Sequence, residues 1–170
     1  MTGLKRLLAG RDERASLQAH ILRGSELAVQ ISLNIPGLPK RMKGDREVVS
    51  RVMGLIRGEA LHMRSSAPAL FFLDNGAGYA GILDAAGADP MAVKRLGMGI
   101  ENQPWGSVID VDVISRRGAI HRVHLDGGER KCFLCGLPAK HCARLQCHSF
   151  PQLREACQGI LAMALEALRA

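Results

Sequence analysis

Aromatic side chains are scarce in this chain: one Trp, one Tyr and four Phe, 4% of 170 residues. Proteins that hold single-stranded nucleic acid stack the bases on aromatic rings, so the shortage argues against that class. No apolar run reaches the ~20 residues a membrane-spanning helix needs. The opening stretch MTGLKRLLAGRDERAS contains no long apolar segment of the kind a signal peptide carries. The expectation is a cytoplasmic protein with no membrane partner. Internal repeats and low-complexity tracts are also missing. Hydrophobic residues are plentiful at 47%, enough for a core, and charge of one sign is in surplus, at +7 with a pI near 9.6. That surplus favours an anionic partner: a polyphosphate, a nucleic acid or an acidic protein. With so few aromatics, phosphate is the expected partner and nucleic acid is not.

The length fits one domain, 1–170, with a Cys/His-rich subregion at 130–149. Helical spacing of apolar residues predicts helices over 12–23, 45–57 and 88–101, the last with Pro90 near its start. Strands are expected at 28–35, 69–74, 79–83 and 108–115, and a partner strand at 119–126. The segment 127–148 is expected to be loop. Ser149 with Gln152 three residues on has the form of a capping box opening a last helix, whose stripe carries Cys157 as a core residue. Helices and strands interspersed in this way predict an α+β (α/β-like) fold: a mixed sheet with flanking helices.

Within VIDVDVIS, 108–115, two carboxylates interrupt an otherwise apolar strand. Side chains two apart on a strand share a face, so Asp110 and Asp112 project side by side. Burying unpaired charge is costly. The pair suits a divalent-cation platform, since Mg²⁺ takes one or two carboxylates plus substrate phosphates and can bridge attacking and leaving oxygens. It equally suits two solvent-facing Asp on an edge strand. Asp126, at the end of the partner strand, is a candidate third carboxylate or a simple turn residue.

KCFLCGLPAKHCARLQCHS supplies Cys132 and Cys135 as C-x-x-C, then Cys142, Cys147 and His148. Three thiolates and an imidazole suit tetrahedral Zn²⁺, with Gly136 helping a tight knuckle turn. Cys132, Cys135, Cys142 and His148 are the expected set, with His141 and Cys147 competing for places in it. Reduced thiols without metal, or a redox pair, would also account for these cysteines; Pro138 disfavours the redox pair. Basic residues bracket the carboxylates. Lys94, Arg116 and Arg122 are the candidates for covering substrate phosphates, because Lys and Arg complement that charge. Lys40, Arg41, Lys43, Arg130 and Lys131 form further basic clusters.

Several segments together, GRDERAS (10–16), SLNIPG (32–37), AVKR (92–95), the run from Glu101 through Gly106 to Asp110-Val-Asp112, and RKCFLCGLPAKHCARLQCHS (130–149), resemble one family. It is that of the apo-citrate lyase phosphoribosyl-dephospho-coenzyme A transferases, also called citrate lyase holo-acyl-carrier-protein synthases. The resemblance runs through nearly the whole chain and implies a nucleotidyltransferase-type fold. It also implies a reaction: the prosthetic group of 2′-(5″-triphosphoribosyl)-3′-dephospho-CoA passes to a serine of the citrate lyase acyl carrier subunit, and pyrophosphate leaves. Asp110 and Asp112 carry over as the Mg²⁺ pair, and Arg11, Glu101 and Gly106 as matching positions, Arg11 as a phosphate contact. One departure stands out. Superfamily members place a Gly-Ser well upstream of the D-x-D, whereas here Gly106–Ser107 lies only a few residues before Asp110. The competing expectations are a zinc-knuckle nucleic-acid-binding module, or a related nucleotidyltransferase with another carrier or nucleotide.

Overall fold

The computed structural model describes residues 2–62, 69–125 and 127–169, with residues 60–62 described in backbone only. Five strands form one sheet in the order β2-β3-β1-β4-β5. They are β1 Leu27–Leu33, β2 Leu70–Asn75, β3 Gly78–Asp84, β4 Ile109–Ser115 and β5 Gly118–Ile120. The class is α+β, and the expected mixed sheet is antiparallel in every ladder. β2–β3 and β4–β5 are hairpins, and β1 sits between them at the centre.

Alternation along β1 and β4 divides the sheet into two unlike faces. Leu27, Val29, Ile31, Val111 and Val113 point into the main core, where they meet α2 (Asp45–His62), α3 (Pro90–Glu101) and α5 (Phe150–Ala167). Val48, Val49, Val52, Met53 and Ile56 supply the α2 stripe, and Cys157, Ile160, Leu161 and Ala164 the α5 stripe, all buried. The opposite face carries Ala28, Gln30, Ser32, Asp110 and Asp112, and α1 (Gly3–Gly24) lies across it. Only the C-terminal part of α1 is packed in apolar fashion there, through Leu17, Ile21 and Leu22 against Ala28 and Ile82.

The helix expected at 12–23 therefore begins nine residues earlier, at Gly3, with Thr2 as its N-cap. Leu4, Leu7 and Leu8 recur there at helical spacing, but Leu4 and Leu8 are exposed, so the first half buries little apolar surface. Close approach holds it in place. A Cβ on Gly10 would lie 2.4 Å from Asn75 Oδ1, and one on Gly76 would lie 2.2 Å from the carbonyl oxygen of Arg6. The capping box at Ser149 and Gln152 forms as expected.

Two expectations are corrected. The partner strand at 119–126 ends at Ile120, and Arg122–Leu125 form a 3-10 turn, so Arg122 is not a strand residue. The segment 127–148 contains a short helix, α4 (Ala139–Leu145), rather than loop throughout. Asp126 lies outside the described residues.

Candidate functional site

The antiparallel register sets Asp110 opposite Ser32 and Asp112 opposite Gln30. Four polar side chains thus face α1; β1 flanks β4 on one side only, since β5 reaches no further than Val113, and Asp110 is 39% exposed while Asp112 is half-buried. α1 answers with its own polar stripe. Leu7, Arg11, Arg14, Ala15 and Gln18 recur at three- and four-residue spacing, which places them on one helix side. These residues, with Asn34, Lys40, Ala77 and the two Asp, enclose a cavity of about 260 Å³. Gln18 Nε2 donates to Gln30 Oε1 at 2.9 Å, and Gln30 Nε2 reaches Asp112 Oδ2 at 3.4 Å.

Charge is concentrated in this space. Burial, and then the charge of Asp110 beside it, push the Asp112 carboxyl up to about 6, with Lys94 and Arg130 opposing the rise. Burial, followed by repulsion from Arg11, holds both Arg14 and Lys40 below their ordinary values. Arg14 donates to the carbonyls of Ala77 and Gly78 at 2.9 and 3.0 Å, yet its Nε is buried without a partner. Lys40 Nζ donates to the carbonyl of Ile35 at 2.5 Å. Two hard carboxylates on one face fit a divalent cation, and three crowded cations on the other wall fit an anion.

The outer edge of β4 is built differently. β5 pairs only with Val113–Ser115, which leaves the backbone at 109–111 open on that side. Side chains close it. Lys94 Nζ donates to the Val111 carbonyl at 2.8 Å, Glu101 Oε1 accepts from the Val111 N–H at 2.7 Å, and Arg130 donates to the Ile109 carbonyl at 3.1 Å. Glu101, whose side chain is 1% exposed, also receives Arg122 at 2.7 Å and Arg130. Arg130 in turn bonds Asp110 Oδ1 at 2.7 Å. A chain of ion pairs thus runs from the edge of the sheet to the carboxylate pair.

Of the four residues expected at phosphate, Arg11 borders the cavity. Lys94 and Arg122 are engaged at the β4 edge, and Arg116 donates to the carbonyls of Leu22 and Ser25, closing the end of α1. Sequence reasoning missed Arg14, placed Lys40 and Arg130 only among the basic clusters that bracket the carboxylates, and left the role of Glu101 open. The spacing of Arg11, Arg14 and Gln18 could have revealed the polar stripe, had α1 been extended to its true start. Gly106 has a steric role: a Cβ there would sit 1.8 Å from the Ile100 carbonyl oxygen.

In the Cys/His segment, ligand atoms of Cys132, Cys135, Cys142 and His148 all lie within 4.8 Å of one another. Tetrahedral zinc with ligands ~2.3 Å away sets them roughly 3.8 Å apart, so little closure is needed. The Cys132 N–H donates to the Leu137 carbonyl and the Gly136 N–H to that of Cys132, with Gly136 at φ +71°, which forms the expected knuckle turn. His148 Nε2 is buried with no hydrogen-bond partner, which suits a nitrogen whose partner is a metal. Burial, and hydrogen bonding with Cys132, push the Cys142 thiol up to about 12, a value a bound cation would reverse. His141 and Cys147 are not among these four, and the Cys147 thiol lies beside them, in hydrogen-bond reach of Cys142.

Comparison with protein families matches residues 2–164 to the family described as apo-citrate lyase phosphoribosyl-dephospho-CoA transferase. A protein of Streptococcus pyogenes serotype M3, named "Probable apo-citrate lyase phosphoribosyl-dephospho-CoA transferase", is 30% identical over 166 residues, covering 93% of this chain and 84% of its own. A protein of the same name from serotype M18 is 29% identical over the same span. No described helix is long and apolar enough to cross a membrane.

Proposed function

This chain belongs to the apo-citrate lyase phosphoribosyl-dephospho-CoA transferase family, and we propose that it carries out that transfer in full, as a single cytoplasmic domain. The substrate is 2′-(5″-triphosphoribosyl)-3′-dephospho-CoA and the acceptor is a serine of the citrate lyase acyl carrier subunit. The serine oxygen bonds to the α-phosphorus and gives up its proton to solvent, the phosphoanhydride bond beyond that phosphorus breaks, and pyrophosphate leaves with its electron pair.

The observation that carries the reading is the cavity between α1 and the sheet. Asp110 and Asp112 stand on one wall, with Arg11, Arg14 and Lys40 around it. The carboxylates would hold Mg²⁺, which when bound supplies charge neutralisation at the phosphates. Arg11, Arg14 and Lys40 bind and orient the triphosphate. Arg130 holds Asp110 in place from the side. Cys132, Cys135, Cys142 and His148 would hold a structural Zn²⁺. The basic surface suits an acidic carrier protein.

The test is to weigh the carrier subunit by mass spectrometry after incubation with the enzyme, Mg²⁺ and triphosphoribosyl-dephospho-CoA. A gain equal to the phosphoribosyl-dephospho-CoA group is expected, with pyrophosphate released in equal amount. Asp110→Asn should slow the transfer by at least ~100-fold. No mass gain with an authenticated substrate and carrier would refute the assignment.

A further inference from the structure

A groove of about 700 Å³ lies beside the carboxylate cavity, between the Cys/His segment and the start of α5. Phe133, Ala143, Phe150 and Leu153 give it apolar walls, and Arg130 and Lys131 line it as cations. Two residues connect it to the cavity. Asn34, just beyond β1, lines both spaces. Arg130 lines the groove and bonds Asp110 at 2.7 Å.

Size separates the two spaces in role. The cavity, at about 260 Å³, is smaller than the roughly 300–1,000 Å³ that drug-sized ligands occupy. It takes a polyphosphate and a cation, not a whole coenzyme. The remainder of a coenzyme-sized substrate must continue into an adjoining space, and the groove adjoins at Asn34. Its chemistry is mixed in the manner a pantetheine nucleotide requires. Cations suit a pyrophosphate bridge, aromatic faces suit an adenine, and apolar walls suit the methyl and methylene groups of the arm.

We propose that this groove binds the dephospho-CoA portion of the substrate, with Lys131 at its pyrophosphate and the Phe133–Phe150 walls along its non-reacting groups. The assignment rests on the proposed function and adds where the non-reacting part of that substrate lies. Ala143 and Phe150 are exposed, Phe150 by 65%, so both can be changed without disturbing the core.

Titration calorimetry on the full chain with Mg²⁺ tests this, using dephospho-CoA and inorganic tripolyphosphate as separate probes. Ala143→Trp fills the groove and Phe150→Ala removes a wall. Both variants are first checked for wild-type thermal midpoint and metal content. Each should weaken dephospho-CoA binding tenfold or more and leave tripolyphosphate binding unchanged. Wild-type dephospho-CoA affinity in both variants would overturn the proposal. So would unchanged dephospho-CoA binding with weakened capture of the carrier subunit, which would mark the groove as a protein-docking surface. Failure of the function reading is distinct. If the wild-type protein transfers nothing to the carrier but loses dephospho-CoA affinity on Ala143→Trp, the groove assignment stands and the reaction does not. If transfer proceeds with unaltered KM in both variants, the reaction stands and the groove assignment falls.

Discussion

Single charged residues in this protein are held by partners that fix their protonation. Asp45, 4% exposed at the start of α2, is the clearest case away from the cavity. Burial alone would raise its pKa, but Arg41 at 2.6 Å and the N–H groups of Met42 and Arg46 outweigh that and hold it below the usual carboxylate range. A carboxylate with a depressed folded-state pKa stabilises the fold above the unfolded value near ~3.9 and loses that contribution as pH falls through the folded one. In that window the unfolded chain binds more protons. Asp45→Asn should therefore cost about 1–3 kcal/mol at neutral pH, and its stability should fall less steeply than wild type below pH ~4. Chemical denaturation from pH 7 to 3 measures both; parallel acid limbs would show that Asp45 does not carry the effect.

At the scale of an element, β4 is the strand on which the site depends. Its inner edge is satisfied by β1 along Ile109–Ser115, but its outer edge outruns β5. Lys94, Glu101 and Arg130 finish the ladder in place of a strand, and α3 is close enough to do so because a Cβ on Gly97 would lie 2.7 Å from Val111. Glu101 binds the Val111 N–H, Arg122 and Arg130 at once. Removing one partner of a buried pair leaves the others uncompensated, at a cost of ~3–5 kcal/mol. Glu101→Ala should lower stability by that much, while Arg122→Met, which leaves Arg130 paired with Glu101, should cost less. Thermal unfolding of the two variants compares them directly, and equal losses would contradict the ranking.

At the scale of the whole molecule, the apolar core and the polar chemistry occupy opposite faces of one sheet. The Cys/His knuckle belongs to neither face. Of its residues only Phe133 packs against the main core, and it contacts that core from a half-buried position. Backbone bonds such as Cys132 N–H to the Leu137 carbonyl and Ala139 N–H to that of Arg130, with the Arg130 ion pairs, tie it down, and a metal at the four ligands would add to its order. Purified protein should contain one zinc per chain, and a chelator that removes it should expose 130–149 to protease first while the sheet's circular dichroism persists. Absence of stoichiometric zinc, or a proteolysis pattern indifferent to the chelator, would count against a metal there.

Sequence alone determined the strand bearing Asp110 and Asp112, the α+β class, the capping box at Ser149, and a Cys/His-rich segment with its glycine turn, from which the structure gathers Cys132, Cys135, Cys142 and His148. Each rests on a local rule: period-two alternation, cap chemistry, or ligand spacing over a short loop. Tertiary structure decided which charges meet. Arg14 and Lys40 come to line one cavity with Asp110 and Asp112 only because α1 crosses the polar face and the chain after β1 turns back beside it. The first half of α1 was illegible because the residues it turns inward, Gly3, Leu7 and Gly10, form no run of large apolar side chains, and the Arg11, Arg14 and Gln18 face that follows looks solvent-facing until something is found opposite it. Lys94 and Arg122 looked equally available for phosphate in the sequence. The structure sends them to the unpaired edge of β4 and to Glu101, because a buried carboxylate and open backbone carbonyls must be satisfied within the fold, and no local pattern records that demand.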